Sequence, residues 1–298
     1  MKQIDWKNKR WIWYTIYCLL LTVALLYYRF PDEAFKEYFQ GALNRITPSL
    51  RASFEGLSLS FPLSFKIFRA ELSSGEYNDK PVFKIDIIRL RPGFISFLKG
   101  DSEYFFRCSA YGGTLKGRAL FVKGEPGGSC SASIALEDLF IDDNSPVPAV
   151  IRDRLWGTIN GNITYNGDNI SLVDGTGDAV LTLSAGAIKF SKPVFDLEAI
   201  DFNNFLLNLA LKDQSLNILN AELKGEKMSG KVSGTVSLGK DLMESRLNLK
   251  GTIEAYADLF KSSSNARDTI SFFKQGLKDG EIHFNIKGTI KDPRINFI

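Results

Sequence analysis

Histidine is nearly absent from this chain. His283 stands alone, with three cysteines (Cys18, Cys108, Cys130) and three methionines, in 298 residues. That scarcity excludes a His-rich metal site, a zinc centre built from four cysteines or from Cys and His pairs, and any chemistry that needs two histidines. The sequence also lacks a Gly-x-Ser-x-Gly elbow, a Walker A loop and a Gly-x-Gly-x-x-Gly fingerprint. Nothing in it calls for a cofactor.

Charge of one sign is missing as well. Residues 1–10 carry Lys2, Lys7, Lys9 and Arg10 against Asp5, so the whole net charge of +3 resides there. Removing those residues from the 37 basic and 34 acidic leaves 33 of each. With no sustained basic stripe along the chain, nucleic acid is not an expected partner.

What is present begins with an apolar run. Trp11 to Tyr28 hold no charge over 18 residues, about 27 Å as a helix, close to the thickness of a bilayer core. Trp11, Trp13 and Tyr14 flank one end and Tyr27 and Tyr28 the other. Leu19, Leu20, Leu21, Leu25 and Leu26 fill the span. Aromatic belts and the basic residues Lys2, Lys7, Lys9 and Arg10 predict a single-pass anchor with a cytoplasmic N-terminus. A cleaved signal peptide is the rival, but no small-x-small site follows the run. Cys18 is a poor lipoprotein candidate, because Tyr17 precedes it and the apolar run continues past it. A buried core helix would leave the charge step and aromatic flanks unexplained.

Pro31 interrupts the run, and Phe35, Tyr38, Phe39, Ala42, Leu43 and Ile46 then recur at helical spacing. This amphipathic segment is expected to lie near the membrane or to cap a sheet. Residues 1–10 are thus a tail, 11–28 the anchor, 29–49 a helix with linker, and 50–298 a β-rich body. Gly-Thr followed by an apolar residue recurs at Gly113, Gly157, Gly234, Gly251 and Gly288. The irregular spacing excludes a solenoid of equal repeats and fits a meander.

Alternation marks the strands. Ile159 and Ile163 oppose Asn160 and Asn162; Leu247, Leu249 and Ile253 oppose Asn248, Lys250 and Thr252; Phe284, Ile286 and Ile290 oppose His283, Asn285 and Lys287. Period two means one apolar and one wet face. Helical material is confined to 32–46, 92–98, 256–261 and 269–277, too little to cover roughly fourteen to eighteen strands of ordinary length. The expected fold is mainly β: one transmembrane helix, then a large curled antiparallel sheet, a trough or a flattened sandwich, with a few short helices. Cys108 and Cys130 fall on the first and third of three successive strands, about 9.6 Å apart in a flat meander. A disulfide between them therefore requires the sheet to fold there.

Several stretches in order carry a resemblance. They are Tyr28-Arg29-Phe30-Pro31 with Asp32-Glu33-Ala34-Phe35; Arg91-Pro92 with Ile95-Ser96-Phe97-Leu98-Lys99-Gly100; Ala110-Tyr111-Gly112-Gly113-Thr114-Leu115-Lys116-Gly117; Gly157-Thr158-Ile159-Asn160-Gly161; and Gly288-Thr289-Ile290 with Asp292-Pro293. The chain resembles the type II secretion system protein N family of deltaproteobacterial type and, more distantly, AsmA-like and TamB-like envelope proteins. The resemblance implies an inner-membrane protein with a β-rich periplasmic domain, partnered by secretion platform or secretin proteins, and no catalytic residues. Its AsmA-like side implies lipid lying along an apolar β-groove.

Two Ser-x-x-Lys matches, Ser96 to Lys99 and Ser271 to Lys274, are expected by chance in a chain of this length, and the confirming Lys-Thr-Gly is missing. Asp168, Asp174 and Asp178 do not match a calcium loop and read as hairpin chemistry. An envelope enzyme is therefore the weakest of three functional readings, behind a secretion scaffold and a lipid trough.

Overall fold

The computed structural model describes residues 8–29, 31–46, 50–60, 64–74, 81–93, 96, 100–124, 128–142, 154–168, 174–194, 197–239, 242–256 and 281–298. Helix α1 is Asn8–Tyr28 and α2 is Asp32–Ile46. Pro31 cannot continue α1, while Asp32 and Glu33 suit the positive N-terminal end of α2. Trp11, Trp13, Tyr14, Leu19, Leu20, Leu21, Leu25 and Tyr28 are all exposed, on every side of α1. Among the described residues no helix is long and apolar enough to cross a membrane. Lys2 and Lys7, and the side chains of Lys9, Arg10, Val23 and Leu26, lie outside that description.

Fourteen strands follow among the described residues: β1 Leu50–Ser60, β2 Ser64–Ser74, β3 Pro81–Pro92, β4 Ser102–Ala110, β5 Gly113–Val122, β6 Ser129–Ile141 and β7 Arg154–Asp168. Then come β8 Thr176–Val194, β9 Leu197–Lys212, β10 Ser215–Lys224, β11 Met228–Ser237, β12 Arg246–Ala255, β13 Glu281–Thr289 and β14 Pro293–Phe297. Every strand pairs antiparallel with its neighbours in sequence, so the order in space is the order in the chain. The result is one open meander whose edges are β1 and β14. The polar loop expected at 142–148 falls almost wholly outside the described residues, as do 257–280 with their expected helices. Of the helical patch expected at 92–98, Pro92 closes β3 and Ser96 is helical.

Helix α2 caps one edge. Lys36 Nζ donates to the Glu55 carbonyl at 2.9 Å and Gln40 Nε2 to the Phe54 carbonyl at 3.4 Å. Phe35 stacks on Phe65 with ring centroids 6.5 Å apart. In this corner lies the cluster Phe54, Leu57 and Ile67, with Phe65, Ala70 and Ile88 against it. Of the two places expected for this amphipathic segment, the structure shows it on the sheet.

Alternation is not carried unbroken along every strand. In β2 the apolar side resumes at Ala70 after Ile67, in β6 at Leu139 after Leu136, and in β8 at Gly186 after Leu183. Each resumption follows a residue in the left-handed region: Arg69 (φ 46°), Asp138 (φ 51°) and Ala185 (φ 49°). At Asp138 and Ala185 the register against β7 shifts by one residue, an insertion that restores the facing of the side chains and bends the strand, whereas at Arg69 the register is unchanged. Ile290, expected on the apolar face, instead lies just beyond β13 and is exposed, because Gly288 (φ 103°) turns the chain out of the strand.

Ala185 has no side-chain polarity to favour the left-handed region, which costs an ordinary residue about 1–2 kcal/mol. Ala185→Gly removes that cost and adds unfolded-chain entropy. The expected net effect is stabilisation by about 0.5–1 kcal/mol in a urea melt.

Candidate functional site

The pairing register builds a surface that no single strand contains. Directly paired residues share a face, so a row can be traced from one edge to the other. One row runs Leu57, Ile67, Ile88, Cys108, Leu115, Leu136, Gly161, Leu181, Leu207, Ala221, Val232, Gly251, Phe284 and Phe297. The next row on the same face includes Leu59, Phe65, Leu90, Phe106, Gly117, Ile134, Ile163, Ala179, Leu209, Ile218, Gly234, Leu249, Ile286 and Ile295. Neither row contains a charged or hydrogen-bonding side chain, apart from the Cys108 thiol, across all fourteen strands.

Ring and glycine alternate where rows meet. Phe284 lies across its paired Gly251, and a Cβ there would meet the ring. Phe106 covers Gly117 in the same way, its Cζ 2.8 Å from where a Cβ would stand. Glycine thus lets a large apolar surface lie flat on the sheet.

This face is only partly buried. Leu57, Ile67, Cys108, Ala221, Leu249 and Phe284 are buried, whereas Leu115, Leu136, Ile134, Ile163, Leu181, Leu207, Leu209, Val232 and Ile286 are half-buried. Leu139, Ile141, Leu183, Phe202 and Ile282 extend the buried set beyond the bulges. Of the residues expected on this face, Ile159, Ile163, Leu247, Leu249, Ile253, Phe284 and Ile286 are buried or half-buried. Apart from α2 over β1, the extensive contacts among the described residues join strands adjacent in sequence.

The opposite face is wet but unevenly charged. Lys66, Arg89, Arg107 and Lys116 form one row across β2 to β5. Arg91, Phe105 and Arg118 form the next row on that face. The chain is neutral beyond its first ten residues, yet the register gathers these six cations from residues 66 to 118 onto one area. Only the partner pairing shows this stripe, which the sequence reading did not find. Toward the other edge the charges are mixed: Lys224 and Lys231 both approach Glu222, at 3.4 and 3.5 Å.

Cys108 and Cys130 are free thiols. Cys108 shares a row with Leu136, and Cys130 lies six residues along β6 from that position, about 20 Å at the strand rise. The disulfide considered from sequence is therefore not formed, since the row offset adds to the two-strand separation. Burial among apolar neighbours pushes the Cys108 thiol up to about 11 and also raises that of Cys130.

Other sequence candidates are dispersed. Ser96 Oγ donates to a Glu103 carboxylate oxygen at 2.6 Å, and Lys99, Ser271 and Lys274 lie outside the described residues. Asp174 accepts from Gln214 at 2.6 Å. His283 pairs with Thr252 on the polar face, beside an open depression of about 420 Å³. Among the described residues no group of three His, Cys, Asp or Glu is placed to hold a metal ion. Comparison with protein-family models, curated proteins and solved structures finds no match for this chain.

The Cys108 shift carries a pH dependence. A thiol whose folded pKa is raised from 9.0 to about 11 favours the fold fully below pH 9, and that contribution is lost as pH rises from 9 to 11. Between those limits the wild-type chain is expected to lose about 2 kcal/mol more stability than Cys108→Val. Paired denaturation curves at pH 8 and pH 11 measure the difference.

Proposed function

We propose that this chain is a non-catalytic envelope protein of bacteria that holds lipid acyl chains along the apolar face of its sheet. The uncharged run from Trp11 to Tyr28 anchors the chain in the inner membrane with the N-terminus in the cytoplasm, and the β-rich body stands in the periplasm as a trough. The observation that carries this reading is the pair of unbroken apolar rows, half-buried over most of their course. A filled core would bury those residues. A lipid groove leaves them awaiting a ligand that is apolar, long and indifferent to sequence.

Dimensions suit that ligand. Fourteen strands give thirteen spacings, about 62 Å of continuous apolar path at about 4.8 Å each. Half-exposed aliphatic and aromatic groups lose their contact with water when hydrocarbon covers them, at about 25 cal/mol per Å². The bulges at Asp138 and Ala185 bend the strands, which favours a concave apolar side. The tether is supported by the 18 uncharged residues from Trp11 to Tyr28; the side chains of Val23 and Leu26 in that run lie outside the described residues, among which no helix qualifies as a span, and the described apolar side chains of α1 are exposed all round. A helix apolar on all sides calls for an apolar medium.

A scaffold in a type II secretion machine is the second reading, favoured by the asymmetry of the edges. Helix α2 bonds to β1, whereas every residue of β14 is exposed, Ile295 and Phe297 at 54% and 42%. A strand from a secretion platform or secretin protein would pair there and prolong both rows.

Lipid content separates the readings. The full chain is purified from membranes in mild detergent and its bound phospholipid counted by mass spectrometry. Leu181→Arg, on the apolar face, is expected to reduce bound lipid about fivefold or more relative to Val180→Arg on the polar face. Annular lipid around α1 is common to both variants and cancels. Equal lipid in the two excludes the trough and leaves the scaffold, for which crosslinking from residues 294–298 to secretion components is the expected result.

A further inference from the structure

We propose that the polar face of β2–β5 is a docking surface for the phosphates of an anionic phospholipid bilayer, an inference that rests on the membrane tether proposed above. Six cations define it: Lys66, Arg89, Arg91, Arg107, Lys116 and Arg118. The register places them in two adjacent rows. Three strand spacings make the area about 14 Å wide, and the rows lie about 7 Å apart along the strands.

The neutralising groups are few. Lys116 pairs with Glu137, and the Glu103 carboxylate is engaged by Ser96. No carboxylate partner stands against Arg89, Arg107 or Arg118 among the described residues. All four arginines of the set are exposed. From Arg69 onward the pattern reverts to matched charges, Arg69 with Glu55 and Lys84 with Glu71 at 3.2 Å. Matched pairs of that kind populate the β10–β14 end as well. Concentration of one sign at β2–β5 is therefore local, and it stands out against a chain that is neutral beyond its first ten residues.

Chemistry and position together favour a bilayer. Exposed guanidinium groups bind phosphate oxygens in a forked geometry that lysine cannot reproduce. Lys66 lies 4.6 Å over the Phe68 ring and Arg91 lies 5.3 Å over Phe105, so aromatic surface is interleaved with the charge, as at membrane interfaces. A bilayer presents phosphates over an area, as this patch presents cations; a duplex presents them along two curved lines. The patch also occupies the strands next to β1, on which α2 packs, and α2 follows α1 directly. A tethered body meets its own membrane first through these strands. Charge attraction near an anionic surface then holds the polar face of β2–β5 on the bilayer, with the apolar face turned away from it.

The test uses the full chain carried in nanodiscs of neutral phosphatidylcholine, mixed with separate vesicles and floated. Vesicles with about one third phosphatidylglycerol are expected to carry the protein upward at about 0.1 M salt and to release it at about 0.5 M. Vesicles of phosphatidylcholine alone are expected to leave it behind. Replacing Arg89, Arg107 and Arg118 by Gln should weaken flotation about tenfold or more. The corresponding Lys variant should still float, which separates lost charge from lost folding. Lys231→Gln with Lys250→Gln, at the other end of the same face, should change nothing.

Flotation unaffected by the Gln variant overturns the proposal. So does an absence of flotation, or complete displacement by a single-stranded oligonucleotide at equal phosphate, which would assign the face to nucleic acid. Failure of the chain to enter nanodiscs counts against the tether alone. The same flotation run on protein in detergent-free buffer then still reads the patch.

Discussion

One constraint governs the molecule: each of fourteen consecutive strands must enter the sheet with its apolar side chains on the same face. Side-chain facing has a period of two, so a slip of one residue at any hairpin would exchange the faces of every later strand. Among the described residues no crossover or second layer corrects such an error in a meander whose order in space is its order in the chain. The two complete rows, from Leu57 to Phe297 and from Leu59 to Ile295, show that the phase is kept from edge to edge. Where the register shifts against β7, Asp138 in β6 and Ala185 in β8 adopt the left-handed region and restore the phase.

Burial follows from that arrangement. A single layer covers its side chains mainly with their neighbours on the same face, so most of the apolar surface stops at half-burial. Among the described residues only the β1–β3 corner gains a lid, from α2, and there Phe54, Leu57 and Ile67 pack as a core. A conventional domain of this length would have enclosed the remaining leucines and isoleucines against a second layer. An open apolar face of this extent is unusual for a protein surface, and the proposed lipid groove accounts for it. The polar face is free of that demand, which leaves its charges available for a separate task at β2–β5.

Much of this architecture was legible from residue order alone. The break at Pro31, the amphipathic 32–46 segment, the strands and their punctuation by glycine all follow from local rules, and Ile159, Ile163, Leu249, Phe284 and Ile286 were assigned to the apolar face by alternation. What was not legible depended on pairing. The six-cation area spans four strands, and nothing within one strand marks it. Arg69, Asp138 and Ala185 carry no glycine to announce a bend, so the change of facing at Ala70, Leu139 and Gly186 was hidden. Ile290 failed for a related reason: alternation was extended through Gly288, where the chain leaves the strand. Cys108 and Cys130 were placed on the right strands, but their offset along the strand direction needed the register.

The central claim is that the apolar face meets hydrocarbon and the opposite face does not. Photocrosslinking by a benzophenone amino acid, placed in turn at Ala179 and Leu181 and at Val180 and Asn162, tests it most directly in living cells. The account predicts phospholipid adducts from the first pair and none from the second, since the residues alternate along β8 and its partner strand. Adducts to protein alone from Ala179 and Leu181, or lipid adducts shared equally by both faces, would contradict it.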